Sequence, residues 1–177
     1  MIMHAYRRIF CGLAALALAA AAAPAQAEIL VFHTSLDGKY GADATGSAAT
    51  GTARIKVDTE RRRVWVDLKV DGITVDALWD KLVSAPVGPV HFHKYATPAS
   101  TDSVLVLPVP YGAGYRPTER GLRVTMDDYD YVAGAKLLGS TLTFDEFVAA
   151  MQSGLVILNV HTDKHNPGEI SGRVEKG

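Results

Sequence analysis

The stretch "RRRVWVDLKVDG", residues 61–72, indicates the fold most directly, because apolar and polar side chains alternate along it. The four apolar residues from Val64 to Val70 fall on one face of an extended chain, and Trp65 and charged residues fall on the other. A period of two is typical of an antiparallel strand that buries one face and exposes the other. The preceding "DTE" (58–60) predicts a hairpin turn to another strand.

Similar patterns occur along most of residues 28–177. We predict further strands in "EILVFHTSL" (28–36), "TARIKVD" (52–58), "GPVHFHKY" (88–95), "SVLVLPVP" (103–110), "GLVILNVHT" (154–162) and "GEISGRVEK" (168–176). Pro108 and Pro110 indicate that the end of the fourth of these lies at a sheet edge or leaves the sheet, because proline lacks the N–H that a central strand needs. Short strands separated by turns predict an all-β fold, namely a Greek-key antiparallel β-sandwich.

One or two short helices are predicted before the last two strands. Thr143 and Glu146 have the spacing of a capping box, and Gly154 follows at the position where such a helix ends. A second, shorter helix is predicted in "DDYDYVAGAKL" (127–137). Its acidic start lacks the spacing of a known calcium loop, so we assign those carboxylates to capping the helix.

Residues 1–27 have the pattern of a signal peptide. Basic residues precede an apolar run that is too short to span a bilayer, and "AQA" before Glu28 has the A-x-A form of a cleavage site. We therefore predict one domain, 28–177, in a periplasmic or secreted protein. Arg7 and Arg8 leave two export routes open, the general secretory and the twin-arginine pathways.

Composition excludes several function classes. The single cysteine, Cys11, lies in the predicted signal, so the mature chain has neither a thiol nucleophile nor a disulfide. Eighteen basic and 19 acidic residues give a net charge of −1 without a basic stripe, which argues against nucleic-acid binding. After signal cleavage no segment is apolar enough to span a membrane.

Four of the six histidines fall in two short windows, "HFH" and "HTDKH". In a strand His91 and His93 project from the same face, about 6.5–7 Å apart, where both can bind one metal ion. His161 ends an apolar strand. If that strand neighbours the one containing His91, three imidazoles converge. The alternative is that these histidines are ordinary packing or surface residues.

The predicted metal site consists of His91, His93, His161 and His165. Ligation by imidazole without thiolate favours copper, with zinc as the alternative. The fourth ligand is left open between His165 and His33. Asp163 is a candidate hydrogen-bond acceptor for a ligand imidazole, and Arg173 is a candidate cation for guiding a small anion.

Four stretches of the sequence, 49–72, 89–95, 104–114 and 155–174, resemble the CHRD domain. This module is named after the animal protein chordin and is also found singly in exported bacterial proteins. The resemblance covers most of residues 29–175, and its most specific parts are "PVHFHKY" and "NVHTDKHNPGEISGRV". It implies an extracytoplasmic all-β domain. The chain departs from the family at Ser171, where arginine is usual, and at His165, which is an addition.

A looser similarity of arrangement links the H-x-H strand to copper–zinc superoxide dismutases, which are Greek-key β-sandwiches. It implies a copper-only site acting on superoxide. Two other functions are retained, a copper-binding protein without turnover and a non-enzymatic structural or protein-binding module. The sequence leaves the oligomeric state undetermined.

Overall fold

The stretch 61–72, in which apolar and polar residues alternate, forms a strand that is buried on one face. In the computed structural model, which describes residues 28–40, 44–97, 100 and 102–177, this strand runs from Arg63 to Asp71. The apolar residues from Val64 to Val70 lie in the hydrophobic core. The predicted turn at 58–60 joins it to an antiparallel neighbour, as expected. The predicted signal segment, 1–27, lies outside the described residues.

Ten strands are present in the described part of the chain. They are β1 (Ile29–Asp37), β2 (Thr50–Asp58), β3 (Arg63–Asp71), β4 (Val90–Tyr95), β5 (Ser103–Val109), β6 (Tyr115–Pro117), β7 (Gly121–Asp130), β8 (Val156–Val160), β9 (Ile170–Arg173) and β10 (Glu175–Lys176). All pairings are antiparallel. The predicted all-β class is therefore confirmed. The last predicted strand, 168–176, is divided into β9 and β10.

The strands form one sheet in the order β5-β4-β8-β9-β1-β2-β3-β7-β6, with β10 paired to β1 beside this path. Pairs that are remote in sequence, such as β9 with β1 and β3 with β7, make the long connections expected of Greek-key topology. The sheet curls, and its two ends approach each other where the Tyr115 hydroxyl donates a 2.6 Å hydrogen bond to the Val109 carbonyl. The two predicted sandwich layers are thus parts of one curled sheet.

The predicted edge position of the strand with two prolines is confirmed, since β5 lies at one end of the sheet. Its neighbour β4 lies between β5 and β8, with Val90 opposite Val160 and His91 opposite Asn159. This pairing meets the condition under which the sequence predicted that the imidazoles of His91, His93 and His161 would converge.

Three α-helices lie in the described residues: α1 (Asp80–Val83), α2 (Tyr131–Leu137) and α3 (Phe144–Gln152). The helix predicted from Thr143 is confirmed with both hydrogen bonds of its capping box. The helix predicted over 127–137 begins later, because β7 continues pairing with β3 as far as Asp130. The Asp130 carboxylate then caps α2 by accepting a bond from the Ala133 N–H.

The sequence did not predict α1 or the 3-10 turn at Val75–Ala77 before it. Both are too short to show helical periodicity. They matter because the backbone between them contacts the residue after β8, where the Trp79 N–H donates to the His161 carbonyl at 3.1 Å. No helix in the described ranges has the length and apolar character needed to cross a membrane.

Candidate metal centre

Strands β4 and β8 bring three histidines together on the face opposite the main core. Val90 and Phe92 point into that core and are fully buried, so the residues between and after them point to the other face. His91 lies opposite Asn159, and His161 follows one residue after the end of β8. The His161 N–H still donates to the Pro89 carbonyl at 2.9 Å, which keeps His161 beside β4.

The three rings pack against one another. The centroids of His91 and His161 are 4.3 Å apart with nearly parallel planes, and those of His91 and His93 are 4.8 Å apart. Each histidine offers one ring nitrogen as a ligand atom, and these three nitrogens all lie within 4.8 Å of one another. An ion bonded to all three at about 2.1 Å would need them about 3.4 Å apart, so the imidazole side chains, including the stacked rings of His91 and His161, must rotate for one ion to bind all three.

Backbone carbonyls fix which nitrogens are free. His91 Nδ1 lies 2.9 Å from the Gly88 carbonyl, and His161 Nδ1 lies 2.8 Å from the Asn166 carbonyl. A carbonyl only accepts, so each Nδ1 carries the proton and each Nε2 carries a lone pair. His93 Nδ1 lies 3.2 Å from the Ser103 hydroxyl. Carbonyl groups that orient metal-binding imidazoles in this way are typical of protein metal sites.

The turn at 162–168 holds the Asn166 carbonyl in place. Thr162 Oγ1 accepts a bond from the His165 N–H and donates one to Glu169 Oε2. The other carboxylate oxygen of Glu169 accepts from the Ser47 hydroxyl at 2.6 Å. The turn is thus fixed to the loop between β1 and β2, which restrains the orientation of the His161 ring.

Two free ring nitrogens lack partners. His93 Nε2 and His161 Nε2 are buried and form no hydrogen bond within the described chain. Leaving a buried polar atom unsatisfied costs about 1–3 kcal/mol, so the metal-free arrangement is unfavourable at these atoms. A bound cation would satisfy the lone pair of His161 Nε2, and also that of His93 Nε2 in the tautomer whose Nδ1 donates to the Ser103 hydroxyl.

The imidazoles are neutral at physiological pH. Burial, reinforced by repulsion from His161 and His93, lowers the pKa of His91 to about 3. Burial and repulsion from His161 lower the pKa of His93 to about 4. Burial also lowers the pKa of His161, against the opposing effect of its bond to Asn166. Neutral imidazole is the form that binds metals, so the lowered pKa values reduce competition between protons and a metal ion.

The structure places the remaining predicted site residues outside this three-histidine group. Strand β8 ends at Val160, so His165 does not continue its alternation and instead lies half-buried in the turn. His33 is exposed on β1. The assignment of either one as fourth ligand stays a prediction.

Asp163 and Arg173, which were predicted to assist the metal site, contact other residues. Asp163 Oδ1 accepts a 3.3 Å bond from the Asp80 N–H at the start of α1. Arg173 Nε donates to the Tyr40 hydroxyl at 2.9 Å. Arg173 pairs with Ile157, which in turn pairs with His93, so Arg173 lies two strands from His93 on the same face.

Sequence reasoning missed three groups beside the histidines: the carbonyls of Gly88 and Asn166, and the side chain of Asn159. Backbone carbonyls leave no signature in residue type. Asn159 did carry a signal, since it is the single polar residue of β8 and shares the parity of His161.

The comparison with known families fits this fold. A family model described as the CHRD domain matches residues 32–174. The chain belongs to the CHRD family. The match includes the three histidines of this CHRD domain and the turn that orients His161. Neither the search of curated proteins nor the search of solved structures gave a significant match.

Proposed function

We propose that this CHRD domain binds one transition-metal ion through His91, His93 and His161. The observation that carries the proposal is the approach of three imidazole nitrogens to within 4.8 Å, two of the rings being oriented by backbone carbonyls. Neutral, buried imidazoles with free lone pairs are suited to a divalent or monovalent metal ion and to few other ligands.

Copper is the proposed metal, and zinc is the alternative. Imidazole suits both ions, and a given nitrogen site generally binds divalent copper more tightly than zinc. Thioether ligation, which would favour Cu(I) delivery, lacks support because Met126 and Met151 pack in the hydrophobic core. A periplasmic or secreted location is part of the proposal, following from the predicted signal at 1–27.

A purely structural role for the histidines explains the burial less well. Packing alone would favour apolar side chains, or imidazoles whose second nitrogen also has a partner. Here His93 Nε2 and His161 Nε2 are buried without one in the described chain. Metal binding explains why these two buried nitrogens have no hydrogen-bond partner there. A structural or protein-binding role gives no reason for such nitrogens.

Elemental analysis tests the proposal. Purified protein given one equivalent each of copper and zinc, and then desalted, is expected to retain about one copper per chain, because copper leads zinc in the affinity order. The variant His91→Asn/His93→Asn is expected to retain almost none. Asparagine is chosen because its amide N–H can still donate to the Gly88 carbonyl while offering no ring nitrogen to a metal.

The matched control is His33→Asn, which changes an exposed histidine on β1 and should retain as much copper as the wild type. Circular dichroism of each protein checks the fold. Equal retention by wild type and the double variant, or no retention by a folded wild type, would contradict the proposal. Retention of zinc in preference to copper would correct the metal alone.

Dismutation of superoxide is a second candidate, favoured by the position of Arg173. This arginine lies on the same face as His93, about 10 Å away at the usual strand spacing, and a cation there attracts small anions. Bound copper would supply one-electron chemistry. Three imidazoles leave at least one coordination position for a substrate.

If this second function is correct, the copper-loaded protein should consume superoxide faster than the same amount of copper added to His91→Asn/His93→Asn. Arg173→Gln should lower the rate at low ionic strength and weaken its dependence on salt. A copper-loaded protein without activity would instead be a metal-binding protein without turnover.

A further inference from the structure

Buried polar atoms without partners cluster beside the three histidines. Within the described residues, four buried side-chain atoms form no hydrogen bond. Three of them, His93 Nε2, His161 Nε2 and Asn159 Oδ1, belong to the face of β4 and β8 described above. The fourth, Asp71 Oδ1, belongs to a carboxylate whose other oxygen pairs with Arg120. Such a concentration at one place indicates that something else satisfies these atoms.

Asn159 faces the histidines by its position in the sheet. It lies directly opposite His91 in the pairing of β4 with β8, where β-carbons are about 4.5–5.5 Å apart. It precedes His161 by two residues and so projects from the same face. Only 7% of Asn159 is exposed. The side chain is therefore enclosed with the imidazoles.

The turn at 162–168 lies on the nitrogen side of this amide. A β-carbon built on Gly168 would come within 3.2 Å of Asn159 Nδ2 and 3.5 Å of the Ser171 hydroxyl. The amide nitrogen therefore lies on the side of the turn. The carbonyl oxygen Oδ1 is buried and has no hydrogen-bond partner within the described residues.

The chemistry of the unsatisfied atoms is specific. His161 Nε2 carries a lone pair because its Nδ1 donates to the Asn166 carbonyl. His91 Nε2, which is not among the unsatisfied atoms, carries one for the same reason, through the bond of its Nδ1 to the Gly88 carbonyl. An amide oxygen also only accepts hydrogen bonds. A metal ion satisfies the nitrogens but brings no proton for Asn159 Oδ1. A ligand that binds the ion and also carries a proton satisfies both needs.

We propose that the fourth position of this site takes a small exogenous oxygen ligand that carries a proton, with water as the simplest case, and that Asn159 Oδ1 accepts its hydrogen bond. This inference rests on the proposed metal binding and adds the ligand class. It favours water, hydroxide and hydroperoxide over anions without a proton, such as azide. It assigns the fourth position to neither His165 nor His33. In this proposal Asn159 is a positioning residue, because it contacts the ligand of the metal and not the metal itself.

Pulsed electron paramagnetic resonance of the Cu(II)-loaded protein tests the ligand set. In wild type we expect three imidazole nitrogens and a strongly coupled proton that disappears in D₂O. His165→Asn and His33→Asn should give the same spectrum. Four imidazoles, one of which is lost in His165→Asn or His33→Asn, would overturn the inference, as would the absence of an exchangeable proton.

Azide titration tests the role of Asn159 separately. In wild type, azide displaces the proton-bearing ligand and leaves Asn159 Oδ1 without a donor. Asn159→Leu removes that penalty at similar size, so azide should bind about three- to tenfold more tightly, the effect of one hydrogen bond. Asn159→Asp should bind azide more weakly than wild type, because its carboxylate repels the anion. Equal azide affinity in wild type and Asn159→Leu would refute the role.

These outcomes are distinct from failure of the metal proposal. Copper content is measured first in every variant. A folded wild-type protein without copper removes both proposals, whereas a stoichiometric copper protein with four imidazoles removes only this one. A merely structural Asn159 would change copper retention or folding and leave the azide affinity of the remaining copper sites unchanged.

Discussion

His161→Asn is expected to weaken copper binding by about 100-fold or more while leaving the fold intact. Loss of a residue that merely orients a metal ligand already costs about 10- to 100-fold in affinity, so loss of the ligand itself should exceed that range. The asparagine amide can still donate to the Asn166 carbonyl, as His161 Nδ1 does in the wild type. The variant thus removes Nε2 and keeps the contact with the turn. Competition with a chelator of known affinity measures the change.

The control for this experiment is His165→Asn. His165 lies in the same turn and has the same side chain, but it is outside the three-histidine group. Its affinity for copper should stay within a few-fold of wild type, because the three ring nitrogens are unchanged. A loss as large as that of His161→Asn would show that His165 is also a ligand.

Acidification from pH 7 to pH 5 is expected to lower the free energy of unfolding of the metal-free protein by about 4 kcal/mol. Burial holds the folded-state pKa of His91 at about 3 and that of His93 at about 4, both below the ordinary value of 6.5. Below pH 6.5 the unfolded chain therefore binds more protons than the folded chain. Stability falls as pH decreases through this window and levels off near the folded-state pKa values. His161, whose pKa is also lowered, adds to the loss.

Chemical denaturation of chelator-treated protein between pH 7 and pH 5 measures this slope. His91→Asn should flatten it by about 1.4 kcal/mol per pH unit at pH 5, the contribution of one proton. His33→Asn, at an exposed position, serves as the control for removal of a histidine and should leave the slope in place. Identical slopes for wild type and His91→Asn would refute the link between the site and acid sensitivity.

Most strands were predictable because burial of one face imposes a period of two on the sequence, whereas β6 and β7 were not predicted. The run from Val64 to Val70 followed directly from this pattern. The same parity placed His91 and His93 on one face. The position of His161 beside them depended on the pairing of β4 with β8, which the sequence raised only as a condition.

Other features were beyond reach because they arise from tertiary contacts. The end of β8 at Val160 is set by the bonds of Thr162, His165 and Glu169 in the following turn, so the alternation that would have placed His165 beside His161 is broken. The carbonyls that orient the rings are backbone groups. The joining of all strands into one curled sheet depends on pairings such as β9 with β1 and β3 with β7.

The pairing of β4 with β8 has a consequence for how the site is assembled. His91 and His161 are about 70 residues apart in sequence, and contacts at such separations form slowly because a long loop must close first. A chain that is still being synthesised lacks the three-histidine group until β8 has docked. Metal uptake should therefore follow folding, and its rate after dilution from denaturant should be limited by the folding rate rather than by the copper concentration.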